Sequence, residues 1–353
     1  MYYVNPYIRD LYRVKFHDSR ADILRLDMNE NPGGLPEAFV EEVKAKITPE
    51  FLATYPEKER LTELLARHNG ISSKNITITS GSDEAIRLAV QCFGEPGKRL
   101  VTVTPTFELY DVYAKMFGLE HVTAEYRPDF TLSMESLLSQ IDSRTGIVVL
   151  VNPNSPIGVC WSEAEARAVI ERAAEAGAIV IVDEAYHYFC DSTFLPLIRE
   201  YEHLLVLRTF SKAFSCAGLR IGYASGHEGL IRYMENAEAT FNVNSAAILF
   251  AEELMNRPDI LAQMVEAERE GRQWLASKLS AAGYRVVGRE GNFLLFYPRR
   301  PSGEIVAMLK ERGVWVRDYS RGILAGWLRV STGPILFMQR FWMAFSEVDM
   351  FAD

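Results

Sequence analysis

Leu204-Leu205-Val206-Leu207-Arg208-Thr209-Phe210-Ser211-Lys212-Ala213-Phe214 is an apolar strand that runs into a small polar loop carrying a single lysine, and Gly218-Leu219-Arg220 follows shortly after. A strand covered on both faces reads as a continuous apolar run rather than an alternating one. Ala178-Ile179-Val180-Ile181-Val182, ending at Asp183, has the same character, and so does Ile147-Val148-Val149-Leu150-Val151 before it. Between these two runs, Ser162 with Glu165 forms a capping-box signature, an alanine-rich helical stretch follows, and Gly177 stands where a helix ends. Strand, helix and strand at this spacing predict right-handed parallel crossovers and an α/β sheet.

Further toward the N-terminus the same alternation continues. Ile76-Thr77-Ile78-Thr79 opens into Ser80-Gly81-Ser82-Asp83 and a helical pattern over 84–90; Leu100-Val101-Thr102-Val103 runs into Pro105, with a helix through Tyr113 and Met116. Ligands of such sheets sit beyond the carboxyl ends of the strands. The polar clusters Ser80 to Asp83, Asn152 to Ser155, Asp183 to Tyr186 and Ser211 with Lys212 all fall there. After about residue 245 a long helical stretch, 245–279, leads to short strands around Tyr284, Phe293, Val314 and Trp327, with a helix over 305–312. The expected organisation is an N-terminal arm over 1–35 that packs with the small domain, a large domain over 36–245 with a mostly parallel sheet flanked by helices, and a small α+β domain over 246–353.

The composition narrows the function. A formal charge of −9, from 38 Lys and Arg against 47 Asp and Glu, without a long basic run, argues against nucleic-acid binding. No apolar run is long enough to span a bilayer and the N-terminus does not read as a signal peptide, so neither a membrane nor an export route is expected. Cys92, Cys160, Cys190 and Cys216 show no metal-ligand spacing and read as reduced thiols of a cytoplasmic protein, with no metal site.

Lys212 alone would be an ordinary solvated lysine. Set just past a buried strand it can form a Schiff base with an aldehyde, which makes pyridoxal phosphate (PLP) the candidate cofactor. That cofactor also needs phosphate donors, an acid beside its ring nitrogen, and packing on the ring. Ser211, Arg220 and the amides of Gly81, Ser82 and Asp83 at a helix start can hold a phosphate, although N-capping explains Gly-Ser-Asp more simply. Asp183 can keep the pyridine nitrogen protonated, Tyr186 can donate to the phenolic oxygen, and Phe107 can stack on the ring or serve as a core aromatic.

Thr209-Phe210-Ser211-Lys212-Ala213-Phe214, Ala217-Gly218-Leu219-Arg220 and Asp183-Glu184-Ala185-Tyr186 together resemble the fold-type I aminotransferases, and most of all the histidinol-phosphate aminotransferase family. Asn5-Pro6-Tyr7, Asn29-Glu30-Asn31-Pro32, Tyr55-Pro56, Pro105-Thr106-Phe107, Asn242-Val243-Asn244, Asn292-Phe293 and Leu328-Arg329-Val330-Ser331 match in order, so the likeness covers nearly the whole chain. It implies an aspartate-aminotransferase-like fold and a homodimer with shared active sites, in which Tyr55 reaches the cofactor phosphate of the neighbouring subunit. It further implies that Arg329 forks onto the substrate carboxylate, that Asn31 belongs to the substrate site, and that Tyr7 and Arg317 lie near a distal phosphate. One departure stands out: the family's Asn-Pro-Thr-Gly is here Ser155-Pro156-Ile157-Gly158. Ser155 replaces the asparagine that bonds the phenolic oxygen, so that bond is either absent, bridged by water or supplied by Asn154.

The expected reaction is PLP-dependent transamination between an amino donor, glutamate with 2-oxoglutarate, and a small anionic substrate such as L-histidinol phosphate. Another phosphorylated amine, an aromatic amino acid, or decarboxylation of a phosphorylated amino acid are the alternatives. A ligand-sensing module without catalysis is a further one, disfavoured by the presence of Lys212, Asp183 and Arg220 together.

Overall fold

The apolar runs assemble as their patterning requires. The computed structural model describes residues 2–11 and 19–349. Its seven-stranded sheet comprises β1 (Ile76–Thr79), β2 (Arg99–Thr104), β3 (Glu120–Glu125), β4 (Thr145–Val151), β5 (Ile179–Asp183), β6 (Leu204–Thr209) and β7 (Gly222–Gly226), in the order β1-β7-β6-β5-β4-β2-β3. Neighbours pair in parallel except around β7, which runs antiparallel to both β1 and β6. β3 and β7 carry no apolar-run signature in the sequence: β3 is half exposed at the sheet edge, and β7 is Gly-Tyr-Ala-Ser-Gly.

Helices α1 (Gly81–Phe93), α2 (Leu109–Met116) and α3 (Glu163–Ala176) cover the sheet. Ser162 and Glu165 close the expected capping box on α3, and Gly177 ends it with φ 70°. The predicted 245–279 helix is two helices, α4 (Ser245–Met255) and α5 (Pro258–Ala281), broken at Asn256-Arg257 where Pro258 starts the second.

The small body is a four-stranded antiparallel sheet of β8 (Arg285–Val287), β9 (Phe293–Tyr297), β10 (Arg317–Asp318) and β11 (Leu328–Ser331), ordered β10-β11-β9-β8, with α6 (Ile335–Asp349) against it. The arm joins this body: Leu24–Arg25 pairs in parallel with Val314–Trp315, and Leu24 and Leu26 are buried among Leu294, Phe296 and Phe341. Packing divides the chain later than residue 245. α4 and the start of α5 (Ile260, Leu261, Met264) share a core with Ile76, Ile78 and Phe210, whereas Leu275 and Leu279 at the end of α5 belong to the small body. One helix therefore has an end in each core.

Under the floor of the cleft, buried Arg208 and Glu184 form an ion pair at 2.8 Å. Glu184 also accepts from the Phe194 N–H at 2.6 Å, and Arg208 donates to Asn69 Oδ1 at 2.7 Å, so both charges are fully engaged.

Candidate active site

The carboxyl ends of β5 and β6 set the first two site residues side by side. Asp183 closes β5 in register with Leu207 of β6; its carbonyl accepts from Asn152 N, and the next amide, Glu184 N, donates to Leu207 O, each at 2.8 Å. Its buried carboxylate accepts from Tyr110 Oη at 2.9 Å and from Ala185 N at 3.1 Å. Burial pushes the Asp183 carboxyl up to about 6, with the Tyr110 hydrogen bond and the Lys212 charge pulling the other way. Tyr110, on the inner face of α2, carries no sequence signal.

Lys212 lies in the loop after β6, whose backbone is tied by Ser215 N to Lys212 O at 2.9 Å and Cys216 N to Phe210 O at 2.9 Å. Its Nζ donates to Met28 O at 3.0 Å and stands 5.6 Å from the centre of the Tyr186 ring. Asn31 of the arm donates to Ser215 Oγ at 2.8 Å, pinning the far side of the same loop.

An anion cradle forms beside this lysine. Arg220, held at φ 54°, points Nη1 at Ser211 Oγ (3.3 Å) and Nη2 at Asp83 Oδ2 (3.2 Å). α1 begins here, and its N-cap Ser80 makes no side-chain capping bond, so the amides of Gly81, Ser82 and Asp83 are left for a ligand. Gly81 has φ 75°, and a Cβ on it would come within 2.7 Å of Arg220 Nη2. Open amides, a guanidinium and a hydroxyl on a glycine-walled cradle are the donor set that a phosphate monoester requires.

The opposite wall comes from the arm and the small body. Tyr186 Oη accepts from Asn29 Nδ2 at 2.7 Å. Asn29, buried with φ 55°, is held by three more bonds: its N–H donates to Ser331 Oγ (2.8 Å), Ser331 Oγ donates to its Oδ1 (3.3 Å), and Asn292 Nδ2 donates to its carbonyl (3.1 Å). Arg329 donates from Nη2 to Asp27 O at 2.6 Å, while its Nε is buried without a partner. Arg317 sits directly across from Arg329 in the β10–β11 ladder, with Glu108 3.6 Å away. Like charges placed opposite each other are unfavourable, so this pair favours an anion. Tyr319 lies within electrostatic range of both arginines and of Tyr186, and burial raises its hydroxyl.

Other expected residues sit elsewhere or are committed to the scaffold. Asn154 Nδ2 donates to Pro105 O (3.0 Å) and its Oδ1 accepts from Thr106 Oγ1 (2.7 Å), so its amide braces the Pro105 loop. Ser155 is buried beside it. Phe107 is 40% exposed at the cleft rim, edge-on to Tyr110. Tyr55 is 75% exposed and stacks on Phe241 at 4.1 Å. Tyr7 packs beside Gly118, where an added Cβ would lie 2.6 Å from its ring.

Of the four cysteines, Cys160 and Cys190 come together, with their Cα atoms 7.1 Å apart, while Cys92 and Cys216 stand alone. Spacing along the chain conceals this because the two cysteines follow neighbouring strands, β4 and β5, whose loops meet. Among the described residues no cluster of potential metal ligands occurs, and no helix is long and apolar enough to cross a membrane.

The family model for aminotransferase class I and II matches residues 21–336. A histidinol-phosphate aminotransferase of Thermoanaerobacter sp. is 34% identical over 301 residues, 84% of each chain. One from Nitratidesulfovibrio vulgaris is 32% identical over 354 residues, 97% of this chain and 94% of its own length. Among solved structures, the histidinol-phosphate aminotransferase of Sinorhizobium meliloti in complex with pyridoxal-5'-phosphate superposes with a TM-score of 0.82 at 25% identity, covering 92% of this chain and 90% of that one.

Proposed function

The chain belongs to the class I and II aminotransferases, and we propose that it is a pyridoxal-phosphate-dependent transaminase whose substrates are L-histidinol phosphate and the pair glutamate and 2-oxoglutarate. The observation that carries this reading is the convergence of Lys212, Asp183, Tyr186 and the Arg220 cradle at the ends of β5, β6 and β1. The donor set fits the cofactor: Ser211, Arg220 and the amides of residues 81–83 would hold its phosphate, and Asp183 its ring nitrogen. Tyr186 and Ser155 would face the phenolic oxygen, and Phe107 the ring. Bound there, the cofactor supplies an electron sink and carries the amino group between the two substrates.

The protein's own groups do the rest. Asp183, desolvated and supplied with two donors, would hold a proton on the ring nitrogen. Because Tyr186 Oη already accepts from Asn29, its own proton is free to be donated into the cleft. Lys212 Nζ would take the substrate Cα proton as general base and return it as general acid. Arg329, with an unpartnered Nε, would fork onto the donor's carboxylate, and Arg317 would take the distal phosphate. Asn31 would fix the lysine loop from the substrate side. Tyr7 is assigned to the phosphate end through the family likeness, since the arm leaves it against Gly118.

A homodimer is part of the proposal. The exposed Tyr55–Phe241 stack supports it, as a rigid aromatic pair left in solvent suits a partner surface; Tyr55 would then reach the partner's cofactor phosphate. We assign the enzyme to the cytoplasm on the same reading. The named relatives are aminotransferases, so decarboxylation is not favoured.

A half-reaction screen tests the reading. The protein loaded with pyridoxal phosphate is mixed with L-histidinol phosphate, other phosphorylated amines, and amino acids. Conversion of the yellow form to the pyridoxamine form by histidinol phosphate and by glutamate is expected. Conversion by another amine alone refutes the substrate assignment, and absence of any yellow form refutes the cofactor.

A further inference from the structure

Glu268 lies midway along α5, at 1% exposure, and neither carboxyl oxygen has a hydrogen-bond partner. The polar side chain it faces is the amide of Asn292, itself 0% exposed with its Oδ1 unpartnered. Asn292 is not free to turn. One Nδ2–H donates to Asn29 O at 3.1 Å, and flipping the amide would set two carbonyl oxygens against each other. Its backbone carbonyl is also fixed, accepting from Thr332 N at 2.8 Å.

A carboxylate facing Asn292 could accept its second N–H but would press an anionic oxygen against Oδ1. A carboxylic acid has the complementary pattern: its O–H reaches the amide oxygen while its carbonyl accepts the amide N–H. All three unpartnered oxygens would then be satisfied at once, as buried polar groups require.

We infer that Glu268 is a positioning residue, kept as the neutral acid in an acid–amide pair with Asn292 that fixes the chain Asn292 to Asn29 to Tyr186 and so aims the Tyr186 hydroxyl into the cleft. The links beyond Asn292 are those already described: Asn292 to Asn29 O at 3.1 Å and Asn29 Nδ2 to Tyr186 Oη at 2.7 Å. With Asn29 saturated by four bonds, a disturbance at Asn292 has no slack before it reaches Tyr186.

Burial alone pushes the Glu268 carboxyl up to about 8, while Asn292 and the Lys212 charge, the charged group that acts on it from the β6 loop, pull it down. His187, on the short helix that also packs on α5, is set among Arg208, Glu184 and His68 instead. The native state thus holds a proton that the unfolded chain releases above the ordinary glutamate value of 4.5, so the contribution of Glu268 to stability is lost as pH rises through about 8.

The role of Tyr186 rests on the transaminase reading, so the test separates the two. Thermal unfolding of the protein without cofactor is compared for wild type and Glu268→Gln from acidic to mildly alkaline pH. The amide preserves the paired pattern without a titrating proton. The variant is expected to gain on wild type as pH rises, and parallel curves would overturn the pair. Glu268→Met, which keeps the volume and removes the donor, is then loaded with pyridoxal phosphate. Its visible band is expected to titrate at a shifted pH and its kcat to fall by up to about 10²-fold, with Glu268→Gln restoring both toward wild type. A Met variant whose band titrates like wild type overturns the positioning role. If wild type takes up no cofactor, the transaminase reading fails, while the pH comparison still decides the acid–amide pair.

Discussion

Where β5 and β6 end, Asp183 and the Lys212 loop stand on contiguous backbone that is hydrogen-bonded to its neighbours; across the cleft, Asn29, Asn292, Ser331 and Arg329 come from the arm and two small-body strands and hold one another through side chains. The first wall is a product of sheet register. The second is a knot of mutual bonds, and removing any strand of it loosens the others. Substitutions in the sheet wall should therefore remove chemistry and spare the fold, whereas substitutions in the knot should alter stability and substrate fit together.

The sharpest break between the walls is Lys212→Ala. It gives up one hydrogen bond, to Met28 O, so its melting temperature should stay near wild type. Half-reaction rates should fall by about 10⁴-fold, and a variant that still turns over would remove Lys212 from the proton transfer. Asp183→Asn should follow, with kcat down about 10²-fold and a pH signature. In wild type the carboxyl, raised to about 6 from 3.8, becomes charged as pH rises through that window. Stability of the cofactor-free protein from this group is lost on that rise, because the native state holds the extra proton below it. Pyridoxal phosphate binding, measured by fluorescence quenching, should tighten over the same interval, and both trends should vanish in the variant.

On the knot side, Arg329→Lys replaces a fork by a point charge. The KM for glutamate should rise about tenfold with a smaller loss of kcat, and an equal fall in kcat would argue for a role in the transition state instead. The smallest effect belongs to Ser331→Ala, which removes both an acceptor for Asn29 N and a donor to its Oδ1. Denaturant unfolding should show a loss of about 1–3 kcal/mol; unchanged stability would mean the knot is slack.

The two walls also differ in how far sequence discloses them. Apolar runs ending in polar residues announce β4, β5 and β6, and with them Asp183 and Lys212, because burial on both faces leaves a continuous signature. The knot leaves no such run: Asn29, Asn292, Arg329 and Ser331 enter only as members of short motifs matched to the family, and Glu268 reads as one more acid on a polar helix. Their meeting depends on long-range packing that periodicity does not encode. Asn154 shows the converse: its place in a motif suggests a ligand contact, while its amide braces Pro105 and Thr106. The meeting of Cys160 and Cys190 is hidden from the sequence for the same reason as the knot.

The single helix α5, with Met264 in one core and Leu279 in the other, has a mechanical consequence. Between those ends, Gly271 lies so close to the Gly333 backbone that no side chain fits there. The helix is thus clamped at its centre as well as at its ends, and neither core can melt without dragging on a rod embedded in the other. Heating should accordingly give one calorimetric transition, with van't Hoff and calorimetric enthalpies equal, and the amides of α5 should be among the last in the protein to exchange with deuterium.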